Sequence, residues 1–119
     1  MSYEFDLDGE TVWDAGIHSG QLYLQLALGA SHFLEVPCGL LPDERKGSCD
    51  IELPTFRAFA EKLYEQYART NNIILRGLVE GALIVSLVLL DRVASPLALR
   101  PEDEELLGRR MGEFRRSMG

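Results

Sequence analysis

The stretch RGLVEGALIVSLVLLDR, residues 76–92, constrains the fold most, because it is very apolar yet charged near both ends. A transmembrane helix needs about 20 mainly apolar residues, but the uncharged run here, from Gly81 to Leu90, has only ten. Extending the run captures Arg76 and Glu80, which cost about 3 kcal/mol each at a bilayer centre. The segment therefore predicts the central helix of a packed domain rather than a membrane span.

Four residues of this helix carry more specific predictions. Arg76 and Glu80 are one helical turn apart, so we expect them to form an ion pair at the rim of the domain, which leaves Glu80 without a catalytic role. Gly77 and Gly81 each cost about 1 kcal/mol relative to alanine in a helix interior, so another backbone or a large ring should approach them closely. The same spacing can serve dimerisation, but we favour packing within the chain, against the first helix or the sheet.

The first thirteen residues predict a β-hairpin. Apolar and acidic residues alternate from residue 3 onward, and an Asp-Gly pair follows as a turn signal. A two-residue loop would pair Phe5 with Val12 and turn Trp13 toward the acidic face. A three-residue loop pairs Phe5 with Trp13 and Leu7 with Thr11, and we favour it because it collects the large apolar side chains on one face.

A helix, a loop and a short strand are predicted next. Asp14 could cap a helix over residues 17–35, which has a broad apolar face and stops before Pro37. Residues 36–49 contain two prolines, two glycines and a charge cluster, which predict a loop. Residues 49–53 alternate and could add a third strand beside the hairpin, which alone would be marginal in water.

Two further helices flank the apolar one. Pro54 begins an amphipathic helix whose apolar side carries Phe56 and Phe59, and residues 70–72 mark a kink or short break after it. Residues 96–119 predict a C-terminal helical extension, with acids first and arginines last as the helix dipole favours. Its apolar stripe is narrow, so we expect it to pack lightly on this domain or on a second copy.

These segments define the fold class as α+β. The predicted architecture is a short antiparallel sheet, the N-terminal hairpin plus a third strand, packed on three to four helices in a single domain of residues 1–119. The residues expected to hold this structure are Trp13, Phe56, Phe59, Arg76, Gly77, Glu80 and Gly81.

Charge is distributed unevenly along the chain, whose net charge is −7. Residues 1–53 hold ten acids against Arg45 and Lys46, a balance that disfavours binding to nucleic acid or to an anionic membrane. We expect instead a basic protein partner that meets the acidic strands and the loop. The candidate partner-binding residues are Asp6, Asp8, Glu10, Asp43, Glu44, Asp50 and Glu52.

Nothing in the chain predicts catalysis. His18 and His32 lie on one predicted helix, roughly 21 Å apart, too far to share a metal ion. Cys38 and Cys49 are expected to be reduced thiols, and neither has a nearby lysine or a helix N-terminus to lower its pKa. Phosphate-binding and hydrolase motifs are absent, so we expect no catalytic residue, metal or cofactor. The first ten residues lack the features of a secretory signal, which predicts a cytoplasmic protein.

Three stretches together resemble a known family. YEFDLDGETVWDAG, LEVPCGLLPDERKGSCDIELPTFRAFAEKLYEQYART and LRGLVEGALIVSLVLLDR are similar to a family of short bacterial proteins, common in actinobacteria, that is defined only as a domain of unknown function. The resemblance covers residues 3–94 and leaves the tail from Pro96 outside. It implies no activity.

Three functional hypotheses follow. The first is a noncatalytic protein-binding module, an immunity or inhibitor protein that neutralises a basic partner, by analogy with other small acidic proteins. The second is a small-molecule-binding protein or enzyme with a pocket between the apolar helix and the sheet, faced by Trp13 and Glu80. The third is a structural homodimer, built through the C-terminal helix or the glycine face.

Overall fold

The structure, a computed structural model, describes residues 1–119 as a four-stranded sheet with four helices packed on one of its faces. The α+β class is therefore confirmed. In chain order the elements are β1 (Ser2–Leu7), β2 (Glu10–Gly16), α1 (Ile17–Leu34), β3 (Leu40–Asp43), β4 (Ser48–Ile51), α2 (Leu53–Arg69), α3 (Ile73–Arg92) and α4 (Pro101–Met118).

The sheet is mixed rather than wholly antiparallel. Its strand order is β2-β1-β4-β3, and the two central strands, β1 and β4, run parallel. The predicted third strand exists as β4, but the loop predicted over residues 36–49 instead contains β3, which forms a second hairpin with β4. Turn-forming residues dominate that window, and Pro42 is tolerated because β3 is an edge strand.

A β-bulge sets the register of the first hairpin. The predicted pairing of Phe5 with Trp13 is confirmed, but the three-residue loop and the pairing of Leu7 with Thr11 are wrong. The turn takes only two residues, both with positive φ, +52° and +83°, as the tightest hairpins require. Val12 is the extra residue of β2, and it shifts the register between Phe5 and the next pair. The bulge thus keeps Trp13 on the apolar face despite the short turn.

An aromatic cluster joins the two layers. The rings of Phe5 and Trp13 stack at 5.1 Å, and Tyr23 of α1 meets them edge-on at 5.6 and 6.0 Å. The Tyr23 hydroxyl is hydrogen-bonded to Ser86 Oγ of α3 at 2.7 Å, and burial raises the pKa of Tyr23 well above its ordinary value. Sheet, α1 and α3 therefore meet in one continuous core.

The ends of α1 and the start of α3 are formed by residues other than the predicted cap, Asp14. Asp14 caps nothing, because β2 continues its pairing to Gly16, and Gly16 is the N-cap of α1. At the other end of α1, Glu35 takes a left-handed conformation with φ +58°. The predicted break at residues 70–72 is present, and Asn72 Oδ1 accepts hydrogen bonds from the backbone N–H groups of the second and third residues of α3, at 2.9 and 3.1 Å.

The predicted role of the α3 glycines is wrong. Both Gly77 and Gly81 are exposed, and a Cβ atom added at either would meet no other atom within 4 Å. The close approach occurs on α1 instead, where a Cβ at Gly20 would lie 3.0 Å from the Cβ atoms of Ala15 and Tyr3. The first helix, rather than the apolar one, therefore needs a glycine to sit against the sheet.

The predicted ion pair within α3 does not form. Arg76 lies over the ring of Tyr67 in α2, with its guanidinium carbon 4.5 Å from the ring centre. Glu80 pairs with Arg110 of α4 at 3.6 Å. The two side chains are one turn apart, but each reaches a different neighbouring helix, so they link α3 to α2 and to α4.

Although α3 has the length and composition of a membrane span, with a mean hydropathy of 2.3, it occupies the middle of the helical layer. Every residue from Ser86 to Leu90 is buried in the core, while its first turns are largely exposed. This position agrees with the predicted central helix.

A buried polar cluster fixes the start of α4. Asp103, only 5% exposed, accepts hydrogen bonds from the Tyr64 hydroxyl at 2.6 Å and from Arg100 Nε at 2.9 Å. Burial alone would raise the pKa of Asp103, but these bonds outweigh it and the pKa is lowered. Further along α4, Leu107 and Met111 are buried in the common core. The C-terminal helix is therefore firmly packed on its own chain rather than lightly attached.

Gly39 and Gly77 should respond in opposite directions to alanine substitution. Gly39 has φ +73°, and a Cβ there would lie 2.8 Å from the Glu52 carbonyl oxygen and closer still to the Phe56 backbone nitrogen. We expect Gly39→Ala to lower the free energy of unfolding by about 3 kcal/mol or more. Gly77→Ala should raise it by up to about 1 kcal/mol, because Gly77 is exposed and α3 gains a better helix former in open space. Urea unfolding measures both, and a destabilised Gly77→Ala protein would contradict this placement of α3.

Asp103 should make the stability of the protein depend on acid pH. The native pKa of Asp103 lies below the ordinary 3.8. At acidic pH the unfolded state therefore binds a proton at this carboxyl more readily than the native state does. The stabilisation is therefore complete above about pH 5 and is lost as pH falls through the native pKa. We expect Asp103→Asn to be less stable at pH 7 by about 1.5–3 kcal/mol, the value of hydrogen bonds to a charged group.

Thermal unfolding between pH 7 and pH 3 checks this prediction. The melting temperature of the Asp103→Asn variant should fall less steeply below pH 5 than that of the parent protein. Glu104→Gln, at an exposed neighbouring acid, is the control and should keep the parent slope. Identical slopes for Asp103→Asn and the parent would contradict the assignment.

Candidate protein-binding face of the sheet

The outer face of the sheet is acidic and carries no helix. The helices pack on the opposite face, where Phe5, Trp13 and Cys49 are buried. Because side chains alternate along a strand, the residues between these point outward. Five of these outward-pointing residues are acids, and we call them together the acidic face: Glu4, Asp6, Asp14, Asp43 and Asp50.

Carboxylates of the acidic face lie directly opposite one another in the sheet. Asp6 of β1 is the register partner of Asp50 of β4, and Glu4 of β1 is the partner of Asp14 of β2. Like charges in directly opposed positions destabilise a sheet. In addition, Asp6 Oδ1 is buried and accepts no hydrogen bond. The fold therefore holds negative charge on this face at a cost in stability.

No basic side chain forms an ion pair with these carboxylates. The structure has eight ion pairs, and in every one the acid is Glu61 or a later residue. The two bases of the first half, Arg45 and Lys46, lie in the β3–β4 turn, where their backbone N–H groups donate to Asp43 Oδ1 at 3.1 and 3.4 Å. Residues 1–53 therefore project a strong net negative field.

The predicted partner-binding residues are only partly brought together. Three of the seven lie on the acidic face, and the others lie toward its two ends. Asp8 and Glu10 are at the β1–β2 turn, and Glu52 follows β4 at that same end of the sheet. Glu44 is in the β3–β4 turn at the opposite end.

Sequence reasoning missed two members of this face. Glu4 and Asp14 were not among the predicted partner-binding residues, although both are exposed and directly opposed. The alternation of β1 already indicated that Glu4 points the same way as Asp6. Asp14 was assigned to a helix cap, and only the continuation of β2 to Gly16 places it on the sheet.

The two thiols are buried beneath the sheet. Cys38 and Cys49 are both free. Burial, reinforced by the neighbouring Cys38, raises the pKa of Cys49 to about 12, so this thiol stays protonated near neutral pH and is a weak nucleophile. No group of three or more His, Cys, Asp or Glu side chains is placed to hold a metal ion.

The predicted pocket is present only in part. A groove of about 420 Å³ is lined by Trp13 of β2, Tyr23 of α1, Val85 of α3 and Phe114 of α4, among others, so it borders the sheet at Trp13 but lies mainly between helices. Its volume is within the range of small-molecule sites. Glu80 is not part of it, since that side chain pairs with Arg110.

Comparison with known proteins places the whole chain in one family. No curated protein and no solved structure matches it. A family of unknown function (DUF6086) matches residues 1–119, so the chain belongs to that family. The match includes α4, which lay outside the resemblance over residues 3–94.

Proposed function

We propose that this member of the family is a noncatalytic protein-binding module that binds a basic partner through its acidic face. The observation that carries the proposal is the direct opposition of Asp6 to Asp50 and of Glu4 to Asp14, with no basic side chain paired to any of them. Functional surfaces are commonly kept at the expense of stability. Lysine or arginine side chains of a partner would relieve the repulsion and gain strong, charge-assisted hydrogen bonds.

The chemistry of the surroundings narrows the kind of partner. Leu41 is 56% exposed and lies next to Asp50 in the sheet register, so it offers an apolar contact among the carboxylates. Protein interfaces typically combine such a contact with a polar rim. A basic surface with a small apolar patch fits this face better than a nucleic acid, whose phosphates the carboxylates would repel.

We propose further that binding neutralises the partner, as an inhibitor or immunity protein does. An acidic face of a sheet can cover a basic cleft, and its field accelerates association by electrostatic steering. We place this role in the cytoplasm of a bacterium, on the family resemblance and on the free, buried Cys38 and Cys49, which suit a reducing compartment.

Neutralising the central carboxylates should weaken binding and strengthen the fold. With a short Lys- and Arg-rich peptide as the probe, we expect Asp6→Asn with Asp50→Asn to reduce affinity roughly tenfold. The same double variant should raise the free energy of unfolding by about 0.2–1 kcal/mol, because opposed like charges are removed. Calorimetric titration at low and physiological salt measures the first effect, and urea unfolding measures the second.

Glu104→Gln with Glu105→Gln is the matched control. It removes the same two charges from exposed positions of α4, so it should leave the peptide affinity within about twofold. Equal losses in the two double variants would show that only net charge matters, and the acidic face would then not be the binding site. Proteins captured from lysate by the immobilised chain should likewise be basic and should be lost with the Asp6 and Asp50 variant alone.

A further inference from the structure

The exposed side of α1 carries no charge. None of its 18 residues is Asp, Glu, Lys or Arg, although 26% of the chain is charged. Leu22, Leu26 and Phe33 are 58%, 48% and 62% exposed, and Gly29 lies between the last two. These four residues follow one another in steps of four, three and four, the spacing of a helix that packs along a partner helix.

The first half of α3 shows the same pattern. Ile74 and Leu78 are 70% and 73% exposed, and Gly81 and Val85 continue in the same steps. The two charged residues in this half of α3 reach α2 and α4, as described above, so they point away from this stripe. A second uncharged, exposed stripe therefore lies on the neighbouring helix.

The two stripes flank one groove. α1 and α3 run side by side in opposite directions, because Tyr23 meets Ser86 while Leu34 and Leu75 line the groove further along. The groove has a volume of about 390 Å³, and nine of its twelve lining residues are hydrophobic. We call the two stripes together the helix seam.

We propose that the helix seam binds a second copy of this chain, so that α1 and α3 of the two protomers form a four-helix bundle. Two antiparallel helices that both carry this spacing can meet their own image across a twofold axis. The glycines provide the holes, because a Cβ at Gly29 or Gly81 would meet nothing within 4 Å. Leu26, Phe33 and Leu78 provide the side chains that fill such holes.

The exposed area fits a dimer contact. The five large side chains of the seam that are about half to three quarters exposed present on the order of 500 Å², the upper end for apolar patches on monomers. This apolar part alone is more than half of the roughly 800 Å² that each partner buries in a standard interface. The acidic face lies on the other layer, so the strongest negative charge of each copy points away from the contact. The seam carries no lysine or arginine for lipid headgroups.

Oligomeric state tests the proposal. Sedimentation of the full chain at up to roughly 100 μM should give twice the 13.3 kDa chain mass. Leu26→Glu and Leu78→Glu should each give the monomer with an unchanged circular dichroism spectrum. Leu41→Glu, an equally exposed leucine on the sheet, is the matched control and should stay dimeric. A monomeric parent chain, or seam variants that remain dimeric, would overturn the proposal.

Cross-linking gives a second readout that does not depend on destabilising the seam. Cysteines at Gly29 and Gly81, tested separately and as a mixture, should form disulfide-linked dimers on oxidation, whereas Gly108→Cys on the exposed side of α4 should not. Cys38 and Cys49 are buried and should not interfere. If no combination of seam cysteines cross-links, a second copy does not bind the helix seam. The same conclusion follows if the chain is monomeric and floats with phosphatidylcholine vesicles.

The Asp6→Asn, Asp50→Asn double variant should stay dimeric. A failure of the dimer proposal can therefore be distinguished from a failure of the proposed function.

Discussion

The stack of Phe5 on Trp13 is the contact from which the two-layer arrangement follows. It exists because Val12 bulges out of β2, which lets a two-residue turn coexist with both rings on one face. Tyr23 then meets the pair edge-on and carries the contact to α3 through Ser86. Without the bulge, Trp13 would face the carboxylates and the helices would lose the aromatic surface on which they pack.

Charge and apolar surface are separated across these two layers. The sheet exposes carboxylates that oppose one another, and the helical layer exposes a stripe without charge on α1 and α3. Within the helical layer, Arg76 links α3 to α2 and Glu80 links α3 to α4. The molecule thus has two surfaces of contrasting chemistry, each suited to a different contact.

Periodicity in the sequence was enough to predict the helices, the first hairpin and the strand after it. It could not reveal β3, because an edge strand of four residues with Pro42 has the composition of a turn. It also could not reveal what surrounds a residue: the sequence predicted a close neighbour for Gly77 and Gly81, but no other part of the same chain approaches either glycine. The reach of Glu80 to Arg110 depends on where α4 lies, which no local pattern contains.

The candidate site was also predictable only in part, because local sequence patterns indicate charge but not which residues meet in the fold. The charge imbalance of residues 1–53 indicates an acidic surface, and Asp6, Asp43 and Asp50 were identified from it. Which acids share a face depends on strand pairing across the chain, since Asp6 and Asp50 are 44 residues apart. Asp103 was one of several acids at the start of a helix, and only burial distinguishes it from its neighbours.

The parallel pairing of β1 with β4 bears on how the protein is made. On a ribosome the first hairpin and α1 emerge before the residues that complete the sheet, so one edge of β1 stays open until Ile51 has left the exit tunnel. During that interval the nascent chain presents an unpaired strand edge and an uncharged helix together. The five acids of the first hairpin, Glu4, Asp6, Asp8, Glu10 and Asp14, have emerged by then, and their mutual repulsion keeps neighbouring nascent chains from pairing through that edge.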